Sequence, residues 1–169
     1  MKLQVPKGYL RKSPDKAIRP TKAVVRKSIF QRLEPWTDKL VCDFYAGIGT
    51  LGIEALSRGS AHVTFVENDP DVLAALERNL AKIGAQDRCT VSRTDVASFL
   101  ASAPRQFDVV LADPPYYSIG WGELQPRVAE ILAPGGVFVM ELPRKAPLPE
   151  NVNVRTFGRT KVGIWRKPT

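Results

Sequence analysis

The chain has 169 residues, 44% of them apolar and 25% charged, and a formal net charge of +8 at pH 7. These values are typical of one globular domain. No apolar run approaches the roughly 20 residues that span a bilayer, and the first residues lack a secretory h-region, so we expect a cytoplasmic protein without a membrane partner. Cys42 and Cys89 predict buried thiols rather than a disulfide framework, and a single histidine, His62, argues against a metal site.

A basic arm over residues 1–18 precedes the predicted domain, residues 19–169, in which strand and helix patterns alternate. Strands are predicted over residues 40–44, 63–66, 90–92, 107–112 and 137–141, and a hairpin over 153–157 and 161–166. Helices are predicted from Thr21 to about Glu34, from the glycine run to about Arg58, from Pro70 to about Ile83, after Asp95, and over residues 123–132. Pro134-Gly135-Gly136 is interpreted as a turn before the fifth strand. This alternation predicts an α/β fold with a doubly wound, mostly parallel seven-stranded sheet and a C-terminal antiparallel hairpin.

The first strand leads into a loop that matches a nucleoside-binding pattern. Gly47-Ile48-Gly49-Thr50-Leu51-Gly52 fits G-x-G-x-x-G, and Glu67 follows 20 residues after Gly47 at the end of the second strand. Glu67 is therefore expected to accept hydrogen bonds from both ribose hydroxyls of a cofactor.

Two classes of cofactor fit this loop, dinucleotides and S-adenosyl-L-methionine. Asp43 stands four residues before the first glycine, where we expect its carboxylate to face the ligand. It would repel a pyrophosphate and attract the ammonium of a methionine moiety. Asp95, after the third strand, is expected to accept from an adenine amino group while the Val96 N–H pairs with the ring, although a helix cap is the alternative for Asp95. The sequence thus favours S-adenosyl-L-methionine.

The fourth strand ends in Asp113-Pro114-Pro115-Tyr116, which predicts a stiff cup for a flat amino group. The Asp113 carboxylate and the Pro114 carbonyl can accept its N–H groups, and the Tyr116 ring can stack on the base that carries it. A rigid turn is the alternative interpretation of these residues. As a catalytic site, they predict methylation of an exocyclic nitrogen on a nucleobase.

Charge is distributed unevenly along the chain. Residues 1–39 carry eleven Lys/Arg against three acids (+8), residues 40–143 seven against thirteen (−6), and residues 144–169 seven against one (+6). Basic ends around an acidic centre favour a nucleic-acid partner over a merely solvated surface.

These motifs resemble those of the bacterial 16S rRNA guanine-N2 methyltransferases, a family of class I S-adenosylmethionine-dependent enzymes. The resemblance covers about residues 17–167, and its most specific part is the run from Gly52 to Gly59. It rests on Arg19-Pro20-Thr21, Arg26, Phe30, the run from Asp43 to Gly59, Val66-Glu67 and Asp113-Pro114-Pro115-Tyr116. The chain departs from the family at Ala23 and Val24, where an Asp-Arg pair is usual, and at Gln31, where an Asn is usual.

The resemblance implies methyl transfer to the N2 amine of a guanine in 16S ribosomal RNA, with the small ribosomal subunit as partner and a monomer as the working unit. It implies catalytic roles for Asp113, Pro114 and Tyr116. Cofactor-binding roles are implied for Arg19, Thr21, Asp43, Tyr45, Ala46, Gly47, Gly49, Glu67, Asn68, Asp95, Val96 and Asp113. The alternatives that stay open are methylation of adenine N6 in DNA or RNA, methylation of a protein glutamine, and a non-catalytic RNA-binding module.

Overall fold

The structure is a computed structural model that describes residues 23–104, 106–115 and 119–169. The predictions for the basic arm and for Arg19, Thr21 and Tyr116 lie outside these ranges. Within them, no helix is both long and apolar enough to cross a bilayer.

A seven-stranded sheet organises the described part of the chain. Its strands are β1 Leu40–Phe44, β2 His62–Val66, β3 Cys89–Ser92, β4 Phe107–Ala112, β5 Leu132–Pro143, β6 Asn153–Phe157 and β7 Thr160–Arg166. They lie in the order β3-β2-β1-β4-β5-β7-β6. Strands β1 to β5 are parallel, whereas β7 runs antiparallel to both β5 and β6. The predicted fold class is confirmed, and the chain order reverses between β1 and β4, where ligands of such sheets bind.

Helices cover both faces of this sheet. They are α1 Ala23–Arg32, α2 Thr50–Ser57, α3 Pro70–Lys82, α4 Val96–Ser102 and α5 Trp121–Ile131. Apolar side chains of α1, α2 and α3 pack on one face, and those of α4 and α5 pack on the other. The sheet is thus buried on both sides, which explains why its central strands have continuous apolar runs rather than alternating ones.

The start and end of α3 follow directly from the local sequence. Asp69 accepts hydrogen bonds from the Asp71 and Val72 N–H groups, and Pro70 occupies the first helical position, where its missing N–H costs nothing. Gly84 follows the helix with a φ of 63°, a conformation that favours glycine. The predicted boundaries of this helix are confirmed.

Two predicted boundaries near the end of the chain were wrong. Helix α5 begins at Trp121 rather than at residue 123, because the Trp121 ring packs on Phe138 with a centroid separation of 4.8 Å. Strand β5 begins at Leu132 rather than at residue 137. Pro134-Gly135-Gly136, predicted to form a turn before the strand, lies within it as an irregular stretch. Phe107 of β4 pairs with Leu132 of β5, whereas Val109 pairs with Val137, so the register of the two strands shifts between these pairs. The extra residues are accommodated as a bulge.

Candidate active site

The acidic residues predicted from sequence meet at one edge of the sheet. Phe44, at the end of β1, pairs with Val66 at the end of β2 and with Ala112 at the end of β4. The residues that follow these strands therefore lie level with one another across three adjacent strands. Tyr45, Glu67 and Asp113 are those residues. The edge is also where the chain order reverses, as expected for a ligand site in this architecture.

The glycine loop between β1 and α2 has a backbone that favours glycine. Gly47 and Gly49 have φ values of 57° and 92°, and Tyr45 also has a positive φ, 56°. The Ala46 N–H donates to the Val66 carbonyl oxygen at 3.1 Å, and the Gly49 N–H donates to the Ala46 carbonyl oxygen at 2.9 Å. These bonds hold the loop in a tight turn over the end of β2.

Glu67 fixes this loop with its carboxylate. Its Oε2 accepts the Gly47 N–H at 2.9 Å, and its Oε1 accepts the N–H groups of Asn68 and Asp69, each at 2.9 Å. A carboxylate offers about four lone-pair directions, so three are occupied by backbone donors. Bonds to both ribose hydroxyls would require one of these donors to be displaced. The ribose contact stays a prediction, and the structure adds a role in shaping the loop.

Asp43 is placed differently from our expectation of a carboxylate that faces the ligand. It is 1% exposed, and its Oδ2 accepts the Gly52 N–H at 2.8 Å. The physical reason is that Gly49, the residue before α2, has no side chain to cap that helix, so a carboxylate from β1 satisfies a first-turn N–H instead. Only in its ionised form can Asp43 therefore act on a bound cation, through the field of its charge and without direct contact.

The Asp43 carboxyl is held in an unfavourable environment for its charge. Burial raises its pKa well above the usual value, and the nearby Asp113 and Glu67 carboxylates raise it further, although the hydrogen bond from Gly52 opposes both effects. Removal from water disfavours the ionised form, and like charges do the same. A cationic ligand at this edge would relieve the repulsion among the three carboxylates.

This environment makes the stability of the ligand-free protein depend on pH. A carboxyl with a raised folded-state pKa contributes stability that is lost as the pH rises from the unfolded-state pKa of about 3.9. Asp43→Asn keeps a hydrogen-bond acceptor for Gly52 but buries no charge. We expect the variant to be more stable than the unmodified protein at pH 7 and equally stable near pH 4, where the carboxyl of the unmodified protein is protonated. Urea unfolding across this pH range measures the difference, and a less stable variant at pH 7 would contradict it.

Asp95 forms the helix cap that we considered as the alternative to a cofactor contact. Its Oδ1 accepts the Ser98 N–H at 2.8 Å and its Oδ2 accepts the Ser98 hydroxyl at 2.7 Å. These two bonds lower the pKa of Asp95, and the one from the Ser98 backbone N–H has the larger effect. The carboxylate is thus ionised and exposed near the end of β3. Val96 begins α4 with its side chain buried, and contacts of both residues with adenine stay predictions.

Asp113 and Pro114 leave β4 at the same edge, and both are half-buried. Asp113 is close enough to Asp43 to raise the pKa of that residue. Tyr45 lies nearby in an equally acidic setting: burial raises the pKa of its hydroxyl, and Glu123 and Asp95 add to the rise while Arg127 opposes it. Glu123, in the first turn of α5, was not singled out from the sequence, where one acid in a helix carries no distinguishing signal.

The basic C-terminal segment divides into two groups with different roles. Lys167 donates to the carbonyl oxygens of Ala129 and Leu132, each at 2.7 Å, and Arg166 donates to that of Gly135 at 2.7 Å. These two cations hold the end of α5 and the bulge of β5, at the edge of the sheet opposite the candidate site. The net charge of this segment predicts contacts with nucleic acid and does not distinguish these two cations from the others.

Other basic residues of the segment lie at the candidate site's edge. Because β7 runs antiparallel to β5, Thr160 pairs with Pro143, which places the turn of the β6–β7 hairpin beside the end of β5. Arg144 and Lys145 follow β5, and Arg159 lies in that turn; all three are exposed. This grouping depends on strand pairing, so the linear sequence could not reveal it.

Comparisons with known proteins agree with this architecture. Over 161 residues the chain is 34% identical to the putative rRNA methyltransferase YlbH of Bacillus subtilis, and the match covers 88% of each protein. It is 39% identical over 100 residues to ribosomal RNA small subunit methyltransferase D of Escherichia coli. That match covers 59% of this chain and 50% of the relative, so it spans half the length of that protein.

A solved structure titled putative methyltransferase yhhF, from Escherichia coli, superimposes with a TM-score of 0.79 at 29% identity. The superposition covers 89% of this chain and 88% of that one. The family model described as conserved hypothetical protein 95 matches residues 6–166. The resemblance stated from the sequence is thereby confirmed at the level of the family: the chain belongs to the conserved hypothetical protein 95 family, whose relatives include proteins named as rRNA methyltransferases.

Proposed function

We propose that this protein transfers a methyl group from S-adenosyl-L-methionine to the exocyclic N2 amine of a guanine in 16S ribosomal RNA, within the small ribosomal subunit. The observation that carries the proposal is the position of Asp113 and Pro114, which leave β4 level with the glycine loop that leaves β1. In this proposal, the acceptor for the amine and the loop for the nucleoside adjoin each other at the edge where the chain order reverses. The names of the rRNA methyltransferase relatives support RNA as the substrate.

The site has the properties that S-adenosyl-L-methionine requires. When bound, this cofactor supplies a methyl group on a positively charged sulfur. Glu67 and Asp113 place negative charge beside Asp43 at this edge. A Cβ built on Gly47 would meet only the Tyr45 carbonyl oxygen, at 3.9 Å, among the described residues, so the loop leaves room for a ligand above it. Tyr45, Ala46, Gly49, Asn68, Asp95 and Val96 complete the cofactor site in this proposal.

Asp113 and the Pro114 carbonyl would hold the two N–H groups of the guanine amine. This contact turns the nitrogen lone pair, otherwise delocalised into the ring, toward the methyl carbon. The nitrogen–carbon bond forms as the carbon–sulfur bond breaks, and the positive charge that develops on nitrogen is stabilised by the same two acceptors. The amine then loses a proton to Asp113 or to water. Tyr116 is proposed to stack on the base.

The alternatives are less well supported. A DNA adenine methyltransferase usually carries a target-recognition insertion, and none stands between the described strands and helices of this chain. Protein glutamine methyltransferases usually begin the Pro-Pro-Tyr loop with Asn, and this chain has Asp113 there. A non-catalytic RNA-binding module would have no need of an amine acceptor beside a nucleoside loop.

A transfer assay tests the proposal. The protein is incubated with methyl-labelled S-adenosyl-L-methionine and, in parallel, with unmodified small ribosomal subunits, with their free 16S RNA, and with double-stranded DNA. We expect label in ribosomal RNA and none in DNA or in ribosomal proteins. Label in protein or DNA would favour one of the alternatives. Cofactor binding without any transfer would favour the RNA-binding module.

Salt dependence provides a further prediction about the RNA. The logarithm of the RNA-binding constant falls linearly with the logarithm of the salt concentration. If the basic side chains at the candidate site's edge contact phosphates, each contact adds about −0.7 to −0.9 to the slope of this line. Arg144, Lys145 and Arg159 together therefore predict a slope of about −2 or steeper. Titration of RNA binding between 50 and about 300 mM salt measures the slope, and a flat response would show that these cations are only solvated.

A further inference from the structure

A cavity of about 860 Å³ lies beside the candidate active site, and the proposed reaction does not use it. It is lined by the end of β5 and the residues after it, the first turn of α5 with the two residues before it, and the turn of the β6–β7 hairpin. Strands β4 and β5 are parallel neighbours, with Ala112 paired to Met140, so the cavity opens one strand away from Asp113. Its volume is within the range of about 300–1,000 Å³ that is usual for ligand sites.

Three cationic side chains line this cavity, those of Arg144, Lys145 and Arg159. The Arg144 N–H donates to the Arg159 carbonyl oxygen at 2.9 Å, and the Arg144 guanidinium donates to the Gly158 carbonyl oxygen at 3.3 Å. These bonds tie the segment after β5 to the hairpin turn and keep the cations together. Among the described residues, no carboxylate forms an ion pair with any of the three. Their charge is therefore available to an anion.

The rest of the lining is mostly apolar, with one acid. Ile119, Leu142 and Pro143 provide an apolar wall, against which a flat ring can pack. Glu123 belongs to α5, whereas the cations belong to the segment after β5 and to the hairpin turn. Its carboxylate accepts N–H donors and repels phosphate. The cavity thus has a cationic part, an apolar wall and one hydrogen-bond acceptor.

We propose that this cavity binds a nucleotide of the RNA that neighbours the methylated base. Its phosphate contacts Arg144, Lys145 and Arg159, and its base packs on the apolar wall with an N–H group toward Glu123. This inference rests on the proposed function, because it adds a second contact to the same RNA strand. Holding the neighbouring nucleotide would keep the target base beside Asp113. A fixed position of the two reacting groups raises the rate of transfer.

The test compares two identical substitutions on one hairpin. Arg159 and Arg155 are both exposed, but only Arg159 lines the cavity. With unmodified small ribosomal subunits as the probe, we expect Arg159→Glu to raise the Kd by about tenfold or more and to make the salt slope shallower by about 1. Arg155→Glu should change the Kd by less than about threefold. Lys145→Glu, as a second variant, should behave like Arg159→Glu. Affinity for S-adenosyl-L-methionine should not change in any of them.

The outcomes separate this inference from the proposed function. If the unmodified protein methylates the RNA and Arg159→Glu binds RNA as Arg155→Glu does, the cavity inference is overturned and the proposed function stands. Equal losses in both variants would also overturn it, because the effect would then be one of net charge. If Arg159→Glu alone loses RNA binding but the unmodified protein transfers no methyl group, the inference is supported and the proposed function fails.

Discussion

Asp113→Ala is expected to lower the turnover of methyl transfer by at least about 100-fold while S-adenosyl-L-methionine binds with nearly unchanged affinity. The carboxylate is proposed to act most strongly in the transition state, where the guanine amine becomes positively charged. Removing it should therefore affect kcat more than the binding of either substrate. Asp113→Asn keeps one acceptor oxygen, so its turnover should fall less than that of Asp113→Ala. Single-turnover transfer to small ribosomal subunits, with calorimetry of cofactor binding, measures both quantities.

Asp87→Ala is a matched control for this variant. Asp87 is exposed in the short turn before β3, at the opposite edge of the sheet, so the same substitution there should leave transfer unchanged. Near-normal turnover of Asp113→Ala would remove the catalytic role from this residue. If weaker binding of S-adenosyl-L-methionine accounted for the entire fall in transfer, Asp113 would be a cofactor ligand without a catalytic role.

Gly52→Ala is expected to destabilise the fold although it places alanine in a helix. A Cβ on Gly52 would lie 2.7 Å from Cζ of Phe65 and 2.9 Å from Cγ1 of Val63, both on β2. The helix would have to move away from the sheet, and the Gly52 N–H would move with it, away from Asp43. Overpacking of this kind costs about 1–3 kcal/mol, which corresponds to a fall in Tm of roughly 2–12 °C.

The control for this variant is Gly122→Ala in α5. Gly122 is exposed, and a Cβ there would meet nothing within 4 Å. We expect its Tm to stay the same or rise slightly, because alanine is the better helix former by up to about 1 kcal/mol. Calorimetric melting of both variants measures the effect. Equal Tm values would show that α2 does not depend on close contact with β2.

The parts of the fold that depend on local sequence were predicted well. Asp69, Pro70 and Gly84 mark the ends of α3, and the five parallel strands follow from apolar runs between turn signals. The glycine loop was also recognisable, because positive φ values at Gly47 and Gly49 require the residue type that the motif specifies.

The parts that depend on tertiary contacts were not predictable from spacing. Asp43 lies within β1 and Glu67 directly after β2, as predicted, but their hydrogen bonds to backbone N–H groups arise only when β1, β2 and α2 come together. Likewise, the separation of Arg166 and Lys167 from Arg159 follows from the antiparallel pairing of β7 with β5. Charge counting along the chain cannot distinguish a cation that holds a helix end from one that lines a cavity.

The most direct test of the central proposal is the identity of the methylated nucleoside. Small ribosomal subunits that lack this modification are incubated with the protein and methyl-labelled S-adenosyl-L-methionine, and the RNA is digested to nucleosides for mass spectrometry. We predict N2-methylguanosine as the labelled product from 16S RNA, at one position, and its loss with Asp113→Ala. N6-methyladenosine as the labelled product, or labelled ribosomal protein with unlabelled RNA, would contradict the proposed function.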